Sequence, residues 1–229
     1  MKHPFVIPVP AVPSVPVADE QARFPIHRIY CVGRNYAEHA KEMGSTVDRE
    51  TPTFFMKPAD AAWPRAEVPF PPGTTNLHHE VELVVALAAG GRDLDPARAL
   101  GCVFGYAIGL DLTRRDLQAA AKAKGNPWDT AKGFDASAPV GAIVPAATLG
   151  HPAAGELALK VNGIERQRAD IATMIFGVPE IIAALSRLFE LRPGDLLFTG
   201  TPAGVGPLVV GDVFEATFPG LPVLRGTIR

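Results

Sequence analysis

Apolar and polar positions along this chain change period several times, and no single period holds for long. Apolar-rich runs predict strands at residues 26–32, 52–57, 80–88 and 102–112. Between the first two, a short helix is expected near 36–43, with Asn35 as N-cap, Glu38 three residues on and Gly44 as stop. An irregular solvated loop follows at 45–53. Thr113 with Asp116 makes a capping-box-like start to a helix running to about Lys124. In the C-terminal half, a strand at 157–161 turns at Asn162-Gly163 into another from Ile164. The clearest helix is 179–189, which places Ile181, Ile182, Leu185, Leu188 and Phe189 on one face and Pro179 in its first turn. Arg192-Pro-Gly-Asp195 and Gly211-Asp212 are turns into strands at 196–199 and 213–218. Strands dominate and helices are few, so the class is α+β with a β-rich core and not a doubly wound sheet.

Composition narrows the function classes. A chain of 229 residues suits one medium domain with a substantial core. Its net charge of −2 and lack of a single-sign charge run speak against nucleic acid or an anionic membrane as partner. Pro4, Pro8, Pro10, Pro13 and Pro16 interrupt the apolar N-terminus, so no continuous signal core is present and residues 1–25 read as an extended arm. Residues 26–229 are expected to form a single domain, the one that would carry any catalytic function. The apolar stretch 102–110 is well short of a membrane span. Cys31 and Cys102 lie in apolar surroundings without metal-ligand spacing and read as buried thiols in a reducing compartment. A cytoplasmic location is expected.

The candidate chemistry begins at His78-His79-Glu80-Val81-Glu82-Leu83-Val84-Val85. On a strand Glu80 and Glu82 point to one face, the face that continues with Val84 and Ala86. Two carboxylates in a poorly hydrated place repel, and a hard dication relieves both penalties. The bland alternative is an exposed strand start with two solvated acids. Asp111 ends the strand at 102–112, where an unpaired buried carboxylate is costly; it completes an oxygen-ligand set or else caps the next helix. Lys132, between turn-forming residues and the apolar run 139–144, is placed to neutralise an enolate or carboxylate, although most lone lysines are surface residues. His39 and Glu42, three apart on a helix, fit a general base with its orienting carboxylate or a solvated helix face. Thr199-Gly-Thr-Pro-Ala-Gly-Val-Gly-Pro207 follows a strand and lacks both the nucleotide-loop ending and the dinucleotide fingerprint. Its backbone N–H groups and Thr201 suit a carboxylate, or a tight turn.

Taken in order, IYCVGRNYAEHAKEMG, PTFFMKPADA, NLHHEVELVV, GYAIGLDLTRRDLQ, KGNPWDTAKGFDASAPVG, LKVNGIERQ and GDLLFTGTPAGVGPL resemble the fumarylacetoacetate hydrolase family from about Arg28 to Ile228. The likeness is strongest to its short, single-domain acylpyruvate and fumarylpyruvate hydrolases. The resemblance implies a mixed β-roll, a homodimer, and Mg²⁺ (or Mn²⁺) held by Glu80, Glu82 and Asp111. It further implies that His39 and Glu42 activate water and that Lys132 lies near the substrate oxyanion. Arg115, Gln118 and Thr201 would contact substrate, a small diketo acid cleaved to pyruvate and a carboxylic acid in aromatic-compound degradation. The acyl end would be lined by the His39 helix and the loops around Trp63 and Trp128. Oxaloacetate decarboxylation and hydroxy-diene-dioate isomerisation or decarboxylation share the scaffold and are the nearest alternatives; a silent metal-binding protein is the remote one.

Overall fold

The computed structural model describes residues 5–42, 44 and 49–229. A six-stranded sheet runs in the order Val144–Pro145, Val103–Leu110, Val81–Leu87, Leu196–Phe198, Ile29–Gly33, Thr53–Lys57. Leu196–Phe198 pairs parallel to Ile29–Gly33 and antiparallel to Val81–Leu87, so the sheet is mixed. A five-stranded sheet follows the order Ile164–Asp170, Glu156–Val161, Val213–Thr217, Leu224–Ile228, Glu67–Val68. Helices are few and short, as the strand-rich pattern implies.

The six-stranded sheet is covered on both faces. Along Val81–Leu87, Val81, Leu83, Val85 and Leu87 pack into one apolar cluster with Ile181, Ile182 and Leu185 of the helix Val178–Leu188. Val84 and Ala86 face the other way, into a second cluster with Ile29, Cys31, Leu196 and Phe198. Both cysteines are buried free thiols. Residues 5–12 of the proline-rich arm are exposed, and the chain then forms a hairpin, Ser14–Pro16 with Arg23–Pro25. Val15, Val17 and Phe24 of that hairpin fill the second cluster, so this part of the arm packs as core.

Several local expectations are corrected by long-range partners. The helix observed over Ala37–Glu42 lies within the expected span, whose residue 43 lies outside the described residues, as do 45–48 of the expected loop. Gly44 has φ 65°, in keeping with a helix stop. Asn35 does not cap that helix. Its side chain donates to the carbonyls of Phe176 (2.9 Å) and Thr199 (2.7 Å) and accepts from Phe176 N–H (2.8 Å), stitching distant loops together. Thr113 does not cap Arg115–Lys124 either: it pairs in a short strand with Leu77–His79, and its hydroxyl donates to the Asp111 carbonyl. The C-terminal helix begins at Val178 and ends at Leu188, which is 62% exposed and lies off the buried face. Among the described residues no helix is long and apolar enough to cross a membrane.

Candidate metal centre

Strand register builds the acidic cluster. Val81 pairs with Leu110 and Glu82 with Gly109, which places Asp111 across from Glu80, and Asp111 N–H donates to the Glu80 carbonyl at 2.8 Å. Glu80, expected inside a strand over 80–88, lies instead at the junction between the short strand Leu77–His79 and the strand Val81–Leu87. Glu82 shares the face of Val84 and Ala86. Glu80, Glu82 and Asp111 are all buried, and one carboxylate oxygen from each lies within 4.8 Å of the others.

Cations meet two of the three acids. Lys132 Nζ donates to Glu80 Oε2 (2.8 Å), Asp111 Oδ2 (2.7 Å) and Thr113 Oγ1 (2.6 Å). Arg115 pairs with Glu80 through Nη2 and donates through Nη1 to Gln118 Oε1. Lys57 Nζ, fully buried, lies 2.8 Å from Asp111 Oδ1. Glu82 has no ion pair among the described residues; its Oε2 accepts the Gly200 N–H at 2.7 Å. Gly200 sits at φ 98°, and a Cβ there would come within 2.6 Å of Asn35 Cβ, so only glycine brings that N–H so close.

The charge states follow. Burial opposes ionisation of Glu80, but Lys132 and Arg115 outweigh it and hold the carboxyl well below the ordinary range. Burial pushes Glu82 well above that range, and Asp111 and Glu80 push it further. Burial acts against the Lys132 ammonium, yet Asp111 and Glu80 raise its pKa. Three converging carboxylates, one of them without a cation, suit a hard divalent ion, whose preferred donors are carboxylate oxygens. Glu80, Glu82 and Asp111 would hold it.

Around the cluster lies a pocket of ≈ 30 Å³ lined by His39, Arg115, Gln118, Lys132 and Thr201 as well as Glu80 and Glu82. Asp111 lies behind it. A wider groove of ≈ 390 Å³ shares Phe55, Trp128 and Lys132 with this pocket. Trp128 thus borders both the pocket and the groove, whereas Trp63 lines neither: its indole donates to the Glu67 carbonyl and its ring faces Arg65.

The short helix Ala37–Glu42 brings buried His39 to the pocket, with Nδ1 3.3 Å from Glu42 Oε2. Burial lowers the His39 pKa and outweighs the pull of Glu80 and Glu42, so the imidazole is neutral near pH 7. Glu42 also accepts the Gly204 N–H at 3.1 Å, which joins the helix to the glycine-rich loop.

Gln167, Lys57 and Arg34 were missed in the sequence. Gln167 Oε1 accepts from Val81 N–H (3.0 Å) and meets His79 Nδ1 (2.9 Å), while Nε2 donates to Thr201 Oγ1 and the Pro202 carbonyl (both 2.8 Å). A backbone donor and a backbone acceptor fix which end of the amide is which. Thr201 Oγ1 is thus an acceptor from Gln167, and among the described residues its own proton has no acceptor, which suits it to a ligand in the pocket. A buried glutamine with partners in three segments is a signal only once those segments are known to meet. Gln167→Leu is expected to destabilise the fold by about 2–4 kcal/mol, since several buried groups lose partners. A urea midpoint unchanged from wild type would refute this.

A β-rich roll with a carboxylate triad, a buried lysine and a His–Glu pair at one pocket defines an enzyme of the divalent-metal type. Residues 28–229 match the family described as fumarylacetoacetate (FAA) hydrolase C-terminal, and the chain belongs to that family. Mitochondrial oxaloacetate tautomerase FAHD1 of Mus musculus is 47% identical over 202 residues, 88% of this chain and 91% of that protein. Oxaloacetate tautomerase YcgM of Escherichia coli (strain K12) is 43% identical, covering 86% of this chain and 90% of its own. The crystal structure of fumarylpyruvate hydrolase from Pseudomonas aeruginosa, in complex with Mn²⁺ and pyruvate, is 46% identical with a TM-score of 0.96, covering 98% of each chain.

Proposed function

We propose that this protein hydrolyses the carbon–carbon bond of a 3-acylpyruvate, yielding pyruvate and a carboxylic acid, with Mg²⁺ or Mn²⁺ at Glu80, Glu82 and Asp111. The observation that carries this reading is the neutral, buried His39 tied to Glu42 beside the carboxylate cluster. Water cleavage of R–CO–CH₂–CO–COO⁻ requires a base for one water proton. Glu42 at Nδ1 orients the ring and leaves Nε2 to take that proton as the oxygen attacks the acyl carbonyl. The bond to the methylene breaks, its electron pair becomes the pyruvate enolate, and protonation of that carbon completes pyruvate. A bound divalent ion supplies Lewis-acid stabilisation of that enolate charge. Lys132 keeps a fixed positive charge at the edge of the cluster, where the negative charge develops. Arg115, Gln118 and the Thr201 hydroxyl, which all line the pocket, would hold the 1-carboxylate.

A second reading, oxaloacetate as substrate, has the tautomerase names of the 43–47% identical relatives in its favour. The same enolate-stabilising charges serve enol–keto conversion or decarboxylation, and the same base serves the proton transfer of the enol–keto conversion. Steady-state kcat/KM on acetylpyruvate, fumarylpyruvate and oxaloacetate with Mg²⁺ decides between them. We expect an acylpyruvate to exceed oxaloacetate by at least about tenfold, a transition-state difference of ~1.4 kcal/mol. An oxaloacetate preference would transfer the assignment to the second reading.

A further inference from the structure

The pocket contains two cations that the carboxylate cluster does not use. Arg34 leaves the strand Ile29–Gly33 at φ 59°, a left-handed backbone that arginine adopts unfavourably. Among the described residues its buried Nε has no hydrogen-bond partner and its guanidinium forms no ion pair. Lys122 lies on the helix Arg115–Lys124, where Arg115, Gln118 and Lys122 share one face at spacings of three and four. All three line the pocket, as does Arg34. The Lys122 ammonium stands 5.3 Å from the Trp128 ring centroid and likewise has no carboxylate partner among the described residues. Burial, and then Arg34 and Arg115, hold Lys122 below the ordinary lysine value.

Two partly buried like charges facing one pocket without a counter-ion are unfavourable on their own. A bound anion reverses the sign of that interaction. Arg115 pairs with Glu80 and is assigned to the 1-carboxylate, and Lys132 is engaged by Glu80 and Asp111, so the charge left for a further anion is at Arg34 and Lys122. Trp128, which Lys122 approaches, also borders the wider groove proposed for the acyl end. We infer that Arg34 and Lys122 form a second anion subsite, which binds a carboxylate at the acyl end and selects diketo acids carrying two carboxylates. The inference rests on the proposed acylpyruvate reading for the placement of the first carboxylate.

The test compares dianionic fumarylpyruvate with monoanionic acetylpyruvate on Mg²⁺-loaded wild type, Arg34→Asn and Lys122→Met. Asparagine tolerates the left-handed backbone, so the Arg34 variant should melt at or above the wild-type temperature. Each variant is expected to raise KM for fumarylpyruvate by ~10–100-fold, the scale of a hydrogen bond to a charged group, and to change acetylpyruvate kinetics less than about threefold. Equal losses on both substrates, or a wild type that prefers acetylpyruvate, would overturn the subsite. Turnover of neither substrate would remove the acylpyruvate reading, and calorimetry then reads the subsite by itself. Fumarate should bind the Mg²⁺-loaded protein at least about tenfold more tightly than crotonate, and Arg34→Asn should erase that difference. Equal binding of the two acids by wild type would overturn the inference independently.

Discussion

Glu82→Gln is expected to remove at least ~10²–10³ of kcat/KM while raising the melting temperature of the metal-free protein. The loss follows from metal chemistry: Lewis-acid stabilisation is worth several kcal/mol, and each 1.36 kcal/mol is tenfold in rate. The rise follows from the fold. Glu82 is buried with Asp111 and Glu80 beside it and has no cation partner among the described residues. Its folded pKa is raised, whereas the unfolded carboxyl titrates near ~4.3. Between those values the unfolded chain releases a proton that the folded chain retains, so Glu82 makes the metal-free protein less stable as pH rises from about 4.3. Glutamine carries no such proton and still accepts the Gly200 N–H. Thermal unfolding of chelator-treated proteins should show a gap between variant and wild type that widens with pH. With Mg²⁺ added, the order should reverse, because ion binding stabilises only the wild type appreciably. A variant that kept the metal-induced stabilisation would remove Glu82 from the ligand set.

The carboxylate triad was legible in the sequence because acids rarely enter apolar strands, and the period of two put Glu82 with Val84 and Ala86. The junction at Glu80 was not legible. It exists because Leu77–His79 pairs with Thr113–Arg114 and Gly206–Leu208 in a separate small sheet, a property of chain segments far away. Asn35 and Thr113 misled for the same reason. Each fits a local cap, but their side chains serve Phe176 and Thr199 in one case and Lys132 in the other. The helix Val178–Leu188 and the hairpin at Asn162-Gly163 were readable, since both rest on neighbours within a few residues. Asn162 and Gly163 both have positive φ, as the dipeptide demands. Lys57 and Gln167 look ordinary in their strands, and only tertiary contact with Asp111 and Thr201 gives them meaning.

His39→Ala is expected to lower acylpyruvate hydrolysis by roughly 100-fold or more, the scale of a lost general base. Metal affinity should remain near the wild-type value, because His39 pairs with Glu42 and is not among the three converging carboxylates. Isothermal titration with Mn²⁺ checks this; loss of metal binding along with activity would put His39 in the metal shell. The pH profile provides a second signature. Burial lowers the His39 pKa, so the acid limb of wild-type kcat/KM should lie below the ordinary histidine value of about 6.5. Activity falls as pH drops through that limb, since the protonated ring cannot accept a proton from water. In the alanine variant the limb should disappear. Oxaloacetate separates the remaining chemistries. Decarboxylation releases CO₂ and needs no activated water, so a decarboxylase activity should survive the substitution largely intact. Enol–keto conversion moves a proton and should fall with hydrolysis. A wild type that interconverts oxaloacetate tautomers, cleaves no acylpyruvate and loses that interconversion in His39→Ala would identify the pair as the base of a tautomerase.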